Sequence, residues 1–268
     1  MSLELDLRDL ARDIALEAGE LARTRRAEGV RVAASKSTLA DIVTDADREV
    51  EALIRSRIAQ ERPGDGFLGE ESDATAGETG VTWVVDPIDG TVNYAQGIPA
   101  YAVSIAAVRG GTTFDAWQAI AGVVRAPAFG ETFLAAAGEG SAVETMDGSA
   151  PLRVSEEWPA GALIGTGFGY DPRTHAGDNA TVQRVMPLAR DVRRIGAAAL
   201  DLAYVAAGRL DGFFERGLKP WDIAAGALLV AEAGGSVAEL PADDFGRRMT
   251  VAGHQHLVDR IAERVTAE

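Results

Sequence analysis

The chain has 268 residues, 47% hydrophobic and 25% charged, with a formal net charge of −15, three histidines and no cysteine. That size suits one large domain or two closely joined lobes around a sizeable core. The composition excludes disulfides, thiolate metal sites and cysteine nucleophiles, and so acidic a surface, whose basic runs are only the pairs Arg193-Arg194 and Arg247-Arg248, argues against nucleic acid as a partner.

The first residues, MSLELDLRDLARDIALEAGE, are charged from Glu4 onward, which does not fit a secretory signal. Leu3, Leu7, Leu10, Ile14, Ala18 and Leu21 recur at spacings of three or four and predict an amphipathic helix over 3–28. Residues 30–44 carry β-branched pieces around a polar Ser-Lys-Ser-Thr turn. A second helix is expected from Asp45 to about Gln60, with Val50, Leu53, Ile54 and Ile58 on one face and Pro63-Gly64 as its stop. FLGEES is a short apolar stub ending in Glu70 and Glu71, and 73–80 is a polar loop. VTWVVD (81–86), YAVSIAAV (101–108), WQAIAGVV (117–124) and ETFLAAA (131–137) read as strands. Two helices followed by a run of strands suggest a layered sheet lobe over 1–150.

Beyond it, LRV (152–154), ALIGTGFG (162–169) and LDGFFE (210–215) read as strands, and 178–190, 197–208 and DIAAGALLVAEAGG (222–235) as helices. This alternation predicts an α/β lobe over 151–268, and the absence of a linker predicts a shared interface. No run of about 18 apolar residues occurs, so no membrane span is expected; the lack of cysteine suits the cytoplasm, which is the expected location.

Chemistry concentrates in acidic turns. In WVVDPIDGTVNY (83–94) a buried strand ends in Asp86, Pro87, Ile88, Asp89, Gly90 and Thr91. Magnesium takes hard oxygen donors, and two carboxylates three residues apart, with the Ile88 carbonyl between them, supply such a set. A helix opening at Gly90-Thr91 would offer free N–H groups and a positive dipole end to a phosphate. Taken alone, the same turn also fits an Asp-rich helix cap. Glu70 and Glu71 stand at another strand end. Asp222, in KPWDIAAG, and Asp45 and Asp47, in TDAD, stand at helix starts, where each could serve as a plain cap. Four acidic clusters at element ends, with no cysteine and few histidines, favour an oxygen-ligated metal site.

Other chemistries lack their signatures: there is no G-x-S-x-G and no G-x-x-x-x-G-K-[ST]. His254 and His256 lack H-E-x-x-H spacing and read as loop residues at the surface. GTGFG (165–169) is followed by Asp171-Pro172 where a helix should open, so it reads as a turn rather than a dinucleotide site. The stripe Leu200, Tyr204, Val205 reads as core.

With these residues in view, the chain resembles the inositol monophosphatases of the lithium-sensitive, magnesium-dependent phosphatase superfamily, most closely the bacterial inositol-1-monophosphatase branch. The resemblance rests on GEES (69–72), WVVDPIDGTVNY (83–94) and WDIAAGALLVAEAGG (221–235), supported by VTDAD (43–47), GIPAYAVSIAA (97–107) and RRIGAAALDLAYVAAGRLDGFFE (193–215), in order over roughly 30–240. It implies an αβαβα five-layer sandwich of the inositol monophosphatase and fructose-1,6-bisphosphatase type, usually a homodimer. It implies two to three Mg2+ ions: Glu70, Asp86 and the Ile88 carbonyl at the first, Asp86, Asp89 and Asp222 at the second, and a weaker third near Glu70. Gly90 and Thr91 would bind phosphate, Thr91 with Asp47 would orient the attacking water, and Glu215 and the backbone near Ala198 would meet the hydroxyls of a phosphorylated polyol. The implied activity is hydrolysis of inositol 1-phosphate by metal-activated water. Histidinol phosphate, fructose 1,6-bisphosphate and adenosine 3′,5′-bisphosphate are alternatives on the same scaffold, and an accessory role with transcription or RNA-processing machinery is a reading of another class. Val92 stands where the family often has a second threonine, and 165–178 is the less standardised substrate rim.

Overall fold

The computed structural model describes residues 2–30, 32–35, 42–111 and 114–266. Helix α1 (Leu3–Glu28) opens on the Ser2 cap and buries Leu7, Ala11, Ile14, Ala15, Ala18 and Ala22. Strands β1 (Val32–Ser35) and β2 (Ile42–Thr44) pair antiparallel. Most of the expected Ser-Lys-Ser-Thr turn between them lies outside the described residues. Helix α2 (Asp45–Glu61) is closed at its start by a reciprocal box between Thr44 and Asp47.

Seven strands then form one sheet in chain order: β3 (Gly66–Gly69), β4 (Val81–Asp89), β5 (Ala102–Gly110), β6 (Trp117–Ala126), β7 (Glu131–Ala136), β8 (Ser141–Thr145) and β9 (Gly148–Pro151). The β3–β4 pair is parallel and the others are antiparallel. Helix α3 (Thr91–Gln96) interrupts the run after β4.

The second half supplies β10 (Ala162–Thr166), α4 (His175–Val185), β11 (Ala189–Arg193), α5 (Ala198–Ala206), β12 (Gly212–Arg216), α6 (Pro220–Glu232), β13 (Ser236–Leu240), β14 (Met249–Gly253) and α7 (Gln255–Thr266). Its five strands run in the order β11-β10-β12-β14-β13. The first three are mutually parallel, and β14 is antiparallel to both β12 and β13.

Three apolar clusters define the layers. Trp83, Val85, Val103 and Ile105 pack with Leu7, Ile14, Val50 and Ile54 of α1 and α2. Their strand neighbours Val84, Ala106 and Val124 point the other way, onto Leu200 and Leu202 of α5 and Ile223 and Leu229 of α6, which also cover Phe213 and Ala252 of the second sheet. On that sheet's far face Ile164, Phe214 and Val251 meet Val185, Leu257 and Ile261 of α4 and α7. The chain is therefore an αβαβα sandwich, with α5 and α6 held between two sheets. Because β4 and β5 are covered on both faces, their central runs Trp83–Val85 and Ile105–Val108 are continuously apolar and do not alternate with polar residues. Each of these large side chains contributes roughly 1.5–3 kcal/mol by leaving water. Among the described residues no helix is long and apolar enough to cross a membrane.

Some sequence expectations need correction. Leu152–Val154 is not a strand; the strands before it are β8 and β9, a hairpin turned at Met146-Asp147. The helix expected over 178–190 ends at Val185, because Pro187 cannot continue it, and 189–193 becomes β11. Residues 236–240 and 249–253 are strands, and 255–266 is a helix. His256 therefore sits in the first turn of α7 rather than in a loop, with its ring stacked on Trp158.

Candidate active site

The site forms where β4 ends. On an unbroken strand Asp86 and Asp89, an odd number of residues apart, would face opposite sides of the sheet. Here Asp86 pairs with Ser104 and Asp89 with Ala102, so three steps on β4 oppose two on β5. The extra residue is absorbed as a bulge at Pro87-Ile88, and both carboxylates emerge on the same face. That face is the one covered by α5 and α6, since Ser104 donates to the Trp221 carbonyl at 3.1 Å. Asp222, in the first turn of α6, completes the group: Asp86, Asp89 and Asp222 offer carboxylate oxygens all within 4.8 Å of one another.

Each acid is held by backbone. Asp86 accepts from the Ile88 amide at 3.1 Å. Asp89 accepts from the Ala198 and Ala199 amides, at 3.1 and 2.8 Å, where α5 begins, so the positive end of that helix faces it. Asp222 accepts from the Lys219 amide at 2.6 Å. Glu70 is placed by the turn after β3, where its amide donates to the Val85 carbonyl at 3.2 Å. Buried Glu51 of α2 shapes that turn, accepting from the Glu71 amide at 2.8 Å and from the Ser72 hydroxyl. A Cβ on Gly69 would overlap the Glu51 carboxylate, which explains the glycine of GEES.

Thr91 and Asp47 also meet. The Thr91 hydroxyl lies 3.2 Å from Asp47 Oδ1 and 3.1 Å from the Ile88 carbonyl. Asp47 further accepts from the Thr44 amide at 2.8 Å and from the Thr44 hydroxyl. Gly90 has φ 88°, the left-handed region, and a Cβ there would press on the Ala100 and Gly196 carbonyls at 3.0 and 3.1 Å. The Thr91, Val92 and Asn93 amides, at the opening of α3, have no intrahelical acceptor by position.

Electrostatically the group is strained. Burial raises the Asp86 carboxyl well above the usual range, and Glu70, Asp89, Asp222 and Asp47 add to it by repulsion. Burial pushes Asp89 up to about 7 against the pull of the α5 amides. Burial and then Asp89 push Asp222 up to about 8. Among the described residues no Lys or Arg forms an ion pair with these three acids. Two buried carboxylates and a half-buried third, with no Lys or Arg paired to them, match the donor set of a hard divalent cation.

Glu215 stands at the end of β12, half-buried, its carboxyl pushed up to about 8 by burial and next by Asp222. The amide of Ala198 already serves Asp89. Two further residues, not singled out from sequence, border the site. Asp201 is 1% exposed, its Oδ1 has no partner, and burial with Glu215 and Asp89 raises it well above the usual range. Its signal was a lone acid in the otherwise apolar helix AALDLAYVA. Tyr170, 44% exposed as a residue, has its phenol raised by burial and then by the charges of Asp89, Glu215 and Asp222.

The model of the inositol monophosphatase family matches residues 5–267. The chain is 47% identical over 246 residues to the protein named inositol-1-monophosphatase SuhB of Mycobacterium tuberculosis, covering 86% of this chain and 83% of that one. It is 40% identical over 209 residues to a Xylella fastidiosa protein named Nus factor SuhB, covering 77% and 72%. Among solved structures, Mycobacterium tuberculosis SuhB superposes with a TM-score of 0.81 at 43% identity, covering 98% of this chain and 97% of that one. The suhB protein of Bartonella henselae superposes with 0.84 at 36% identity, covering 96% and 97%.

Proposed function

The chain belongs to the inositol monophosphatase family and is a phosphatase of that superfamily, and from that premise we propose that it hydrolyses inositol 1-phosphate to inositol and phosphate with two to three Mg2+ ions. The observation that carries the reading is the β4 bulge, which turns Asp86 and Asp89 to one face beside Asp222. In this reading Glu70, Asp86 and the Ile88 carbonyl hold one ion, Asp86, Asp89 and Asp222 hold a second, and a third sits near Glu70. Bound there, the cations supply Lewis-acid charge that acidifies water and offsets the phosphate's negative charge.

The chain's own groups do the positioning. The amides at the opening of α3 seat phosphate oxygens, and Gly90 lets the backbone come close. The Thr91 hydroxyl donates toward Asp47 or the Ile88 carbonyl, which leaves its lone pairs to accept a proton of the attacking water and aim that water at phosphorus. Glu215 and the backbone at Ala198 bound the inositol hydroxyls. No serine, cysteine or histidine nucleophile is required. A homodimer, lithium inhibition and a cytoplasmic location belong to the same reading.

The test is phosphate release with Mg2+ from inositol 1-phosphate, histidinol phosphate, fructose 1,6-bisphosphate and adenosine 3′,5′-bisphosphate. Inositol 1-phosphate leading by about tenfold, or about 1.4 kcal/mol of transition-state preference, supports it. Another substrate leading by that margin keeps the metal chemistry and moves the specificity. The Xylella fastidiosa relative's name favours one second reading, an accessory role beside the transcription machinery. Capture of RNA polymerase or a Nus protein by the purified chain, with and without Mg2+, distinguishes it.

A further inference from the structure

The segment G-T-G-F-G, read from sequence as a turn, has a structural purpose. Its three glycines alternate along the end of β10 and the loop after it, and each leaves room for a charged group. A Cβ on Gly165 would lie 2.9 Å from Asp201 Oδ1, one on Gly167 would overlap the Glu215 carboxylate, and one on Gly169 would lie 2.6 Å from a terminal nitrogen of Arg247.

Arg247 is far from the carboxylate cluster in sequence and lies on the connection between β13 and β14. Its two terminal nitrogens donate to the two oxygens of Asp178, at 3.0 and 2.8 Å. Its Nε and one terminal nitrogen donate to Asp243 Oδ2, at 3.0 and 2.8 Å. Asp178 accepts in turn from the Gly169 amide at 3.1 Å and the Thr174 hydroxyl at 3.4 Å. The Gly169 carbonyl accepts from His175 Nε2 at 2.9 Å, so the peptide groups on either side of Gly169 are both held. The Arg247 and Asp178 side chains are 15% and 6% exposed, and no other ion pair among the described residues has both partners so covered. A buried pair of this kind is a weak source of net stability but a strict setter of geometry.

What the clamp holds is the wall of a pocket. Phe168 and Tyr170, on either side of Gly169, line a cavity of about 410 Å³ with Val92, His175, Asn179 and Arg194. Val92 follows Thr91 directly, so the cavity opens beside the proposed phosphate seat. Among the described residues no hydrogen bond or ion pair joins the clamp to Asp86, Asp89 or Asp222. We propose that Arg247 is a positioning residue for the leaving alcohol: gripped by Asp178 and Asp243, it fixes the Phe168–Tyr170 wall against which that alcohol is aligned, and it takes no part in holding metal. The inference rests on the phosphatase reading above.

The test compares Arg247→Lys and Asp178→Asn with the wild-type enzyme. A lysine cannot reproduce the paired donors of the guanidinium. The substrates are inositol 1-phosphate, whose poor leaving group needs alignment, and p-nitrophenyl phosphate, whose good one needs little. We expect KM for inositol 1-phosphate to rise on the order of tenfold, kcat/KM for p-nitrophenyl phosphate to stay within about twofold, and the Mg2+ concentration for half-activation to stay unchanged. Hydrogen exchange should quicken over residues 167–178 and not over 81–96. Equal losses on both substrates, a shifted Mg2+ requirement or unchanged exchange at 167–178 overturns the proposal. If Arg247→Lys does not fold, Asp243→Asn leaves the Asp178 pair in place and should show the same pattern at smaller size; its absence is equally fatal. If the wild-type enzyme releases phosphate from neither substrate, the parent reading falls, and the exchange measurement alone decides the clamp.

Discussion

Removing divalent metal should make this protein lose stability as pH rises, opposite to the usual behaviour of carboxylates. Asp89 is 7% exposed, with its carboxyl at about 7, against about 3.9 in an unfolded chain. Between these values the folded state holds a proton that the unfolded state has released, so stability falls with rising pH, by about 1.4 kcal/mol per unit for one proton. From pH 5 to pH 7 Asp89 alone is then worth about 2–3 kcal/mol. A domain of this size loses about 2–4 °C of Tm per kcal/mol, so the metal-free protein should melt about 5–10 °C lower at pH 7 than at pH 5. Raised Asp86 and Asp222 act in the same direction. Millimolar Mg2+, binding only the ionised folded site, should restore Tm at pH 7.5 and add little at pH 5. Scanning calorimetry in a chelating buffer, repeated with Mg2+ and on Asp89→Asn, reads this directly. A metal-free Tm that is flat or rises from pH 5 to 7, or an equal Mg2+ effect at both pH values, refutes the reasoning.

Asp86→Asn removes a donor from both proposed ion positions and should lower phosphate release more than about hundredfold at millimolar Mg2+; near-native turnover would count heavily against the scheme. Gly90→Ala forces a side chain into a left-handed φ of 88° and onto two carbonyls. It should cost about 1–3 kcal/mol by thermal melting, with activity lost even where the fold survives. Glu215→Gln should weaken turnover of inositol 1-phosphate more than that of an aryl phosphate, and equal losses in a side-by-side assay would argue against its role in substrate selection.

Much of the fold was legible because local signals agreed. The helix over 3–28, the break at Pro63-Gly64 and the four apolar strands between 81 and 137 follow from periodicity and breakers, and they recur as α1, the end of α2, and β4 to β7. The C-terminal third was harder to read. Strands β13 and β14 owe their existence to pairing with each other and with β12, a contact distant in sequence. Strand β9 is a fully exposed edge ending in proline, with little apolar signal to find. The helix expected through residue 190 needed the weight of Pro187 against a periodicity that ran past it.

For the site the division is similar. The sequence by itself determined which donors are available: carboxylates at Asp86, Asp89, Asp222, Glu70 and Asp47, a glycine and threonine opening a helix, and no soft ligand. It also determined the turn chemistry, since proline after Asp86 and glycine after Asp89 restrict the backbone to few shapes. Only the tertiary structure decided that these donors share one place. Asp86 and Asp89 face the same way because β5 opposes three steps of β4 with two of its own. Asp222 joins them because α6 is packed between two sheets. Asp201 left only the trace of a lone acid in an apolar helix, and Tyr170 and Arg247 carry no local motif, because what defines them is their surroundings in the fold, Asp178 for Arg247 lying 69 residues away.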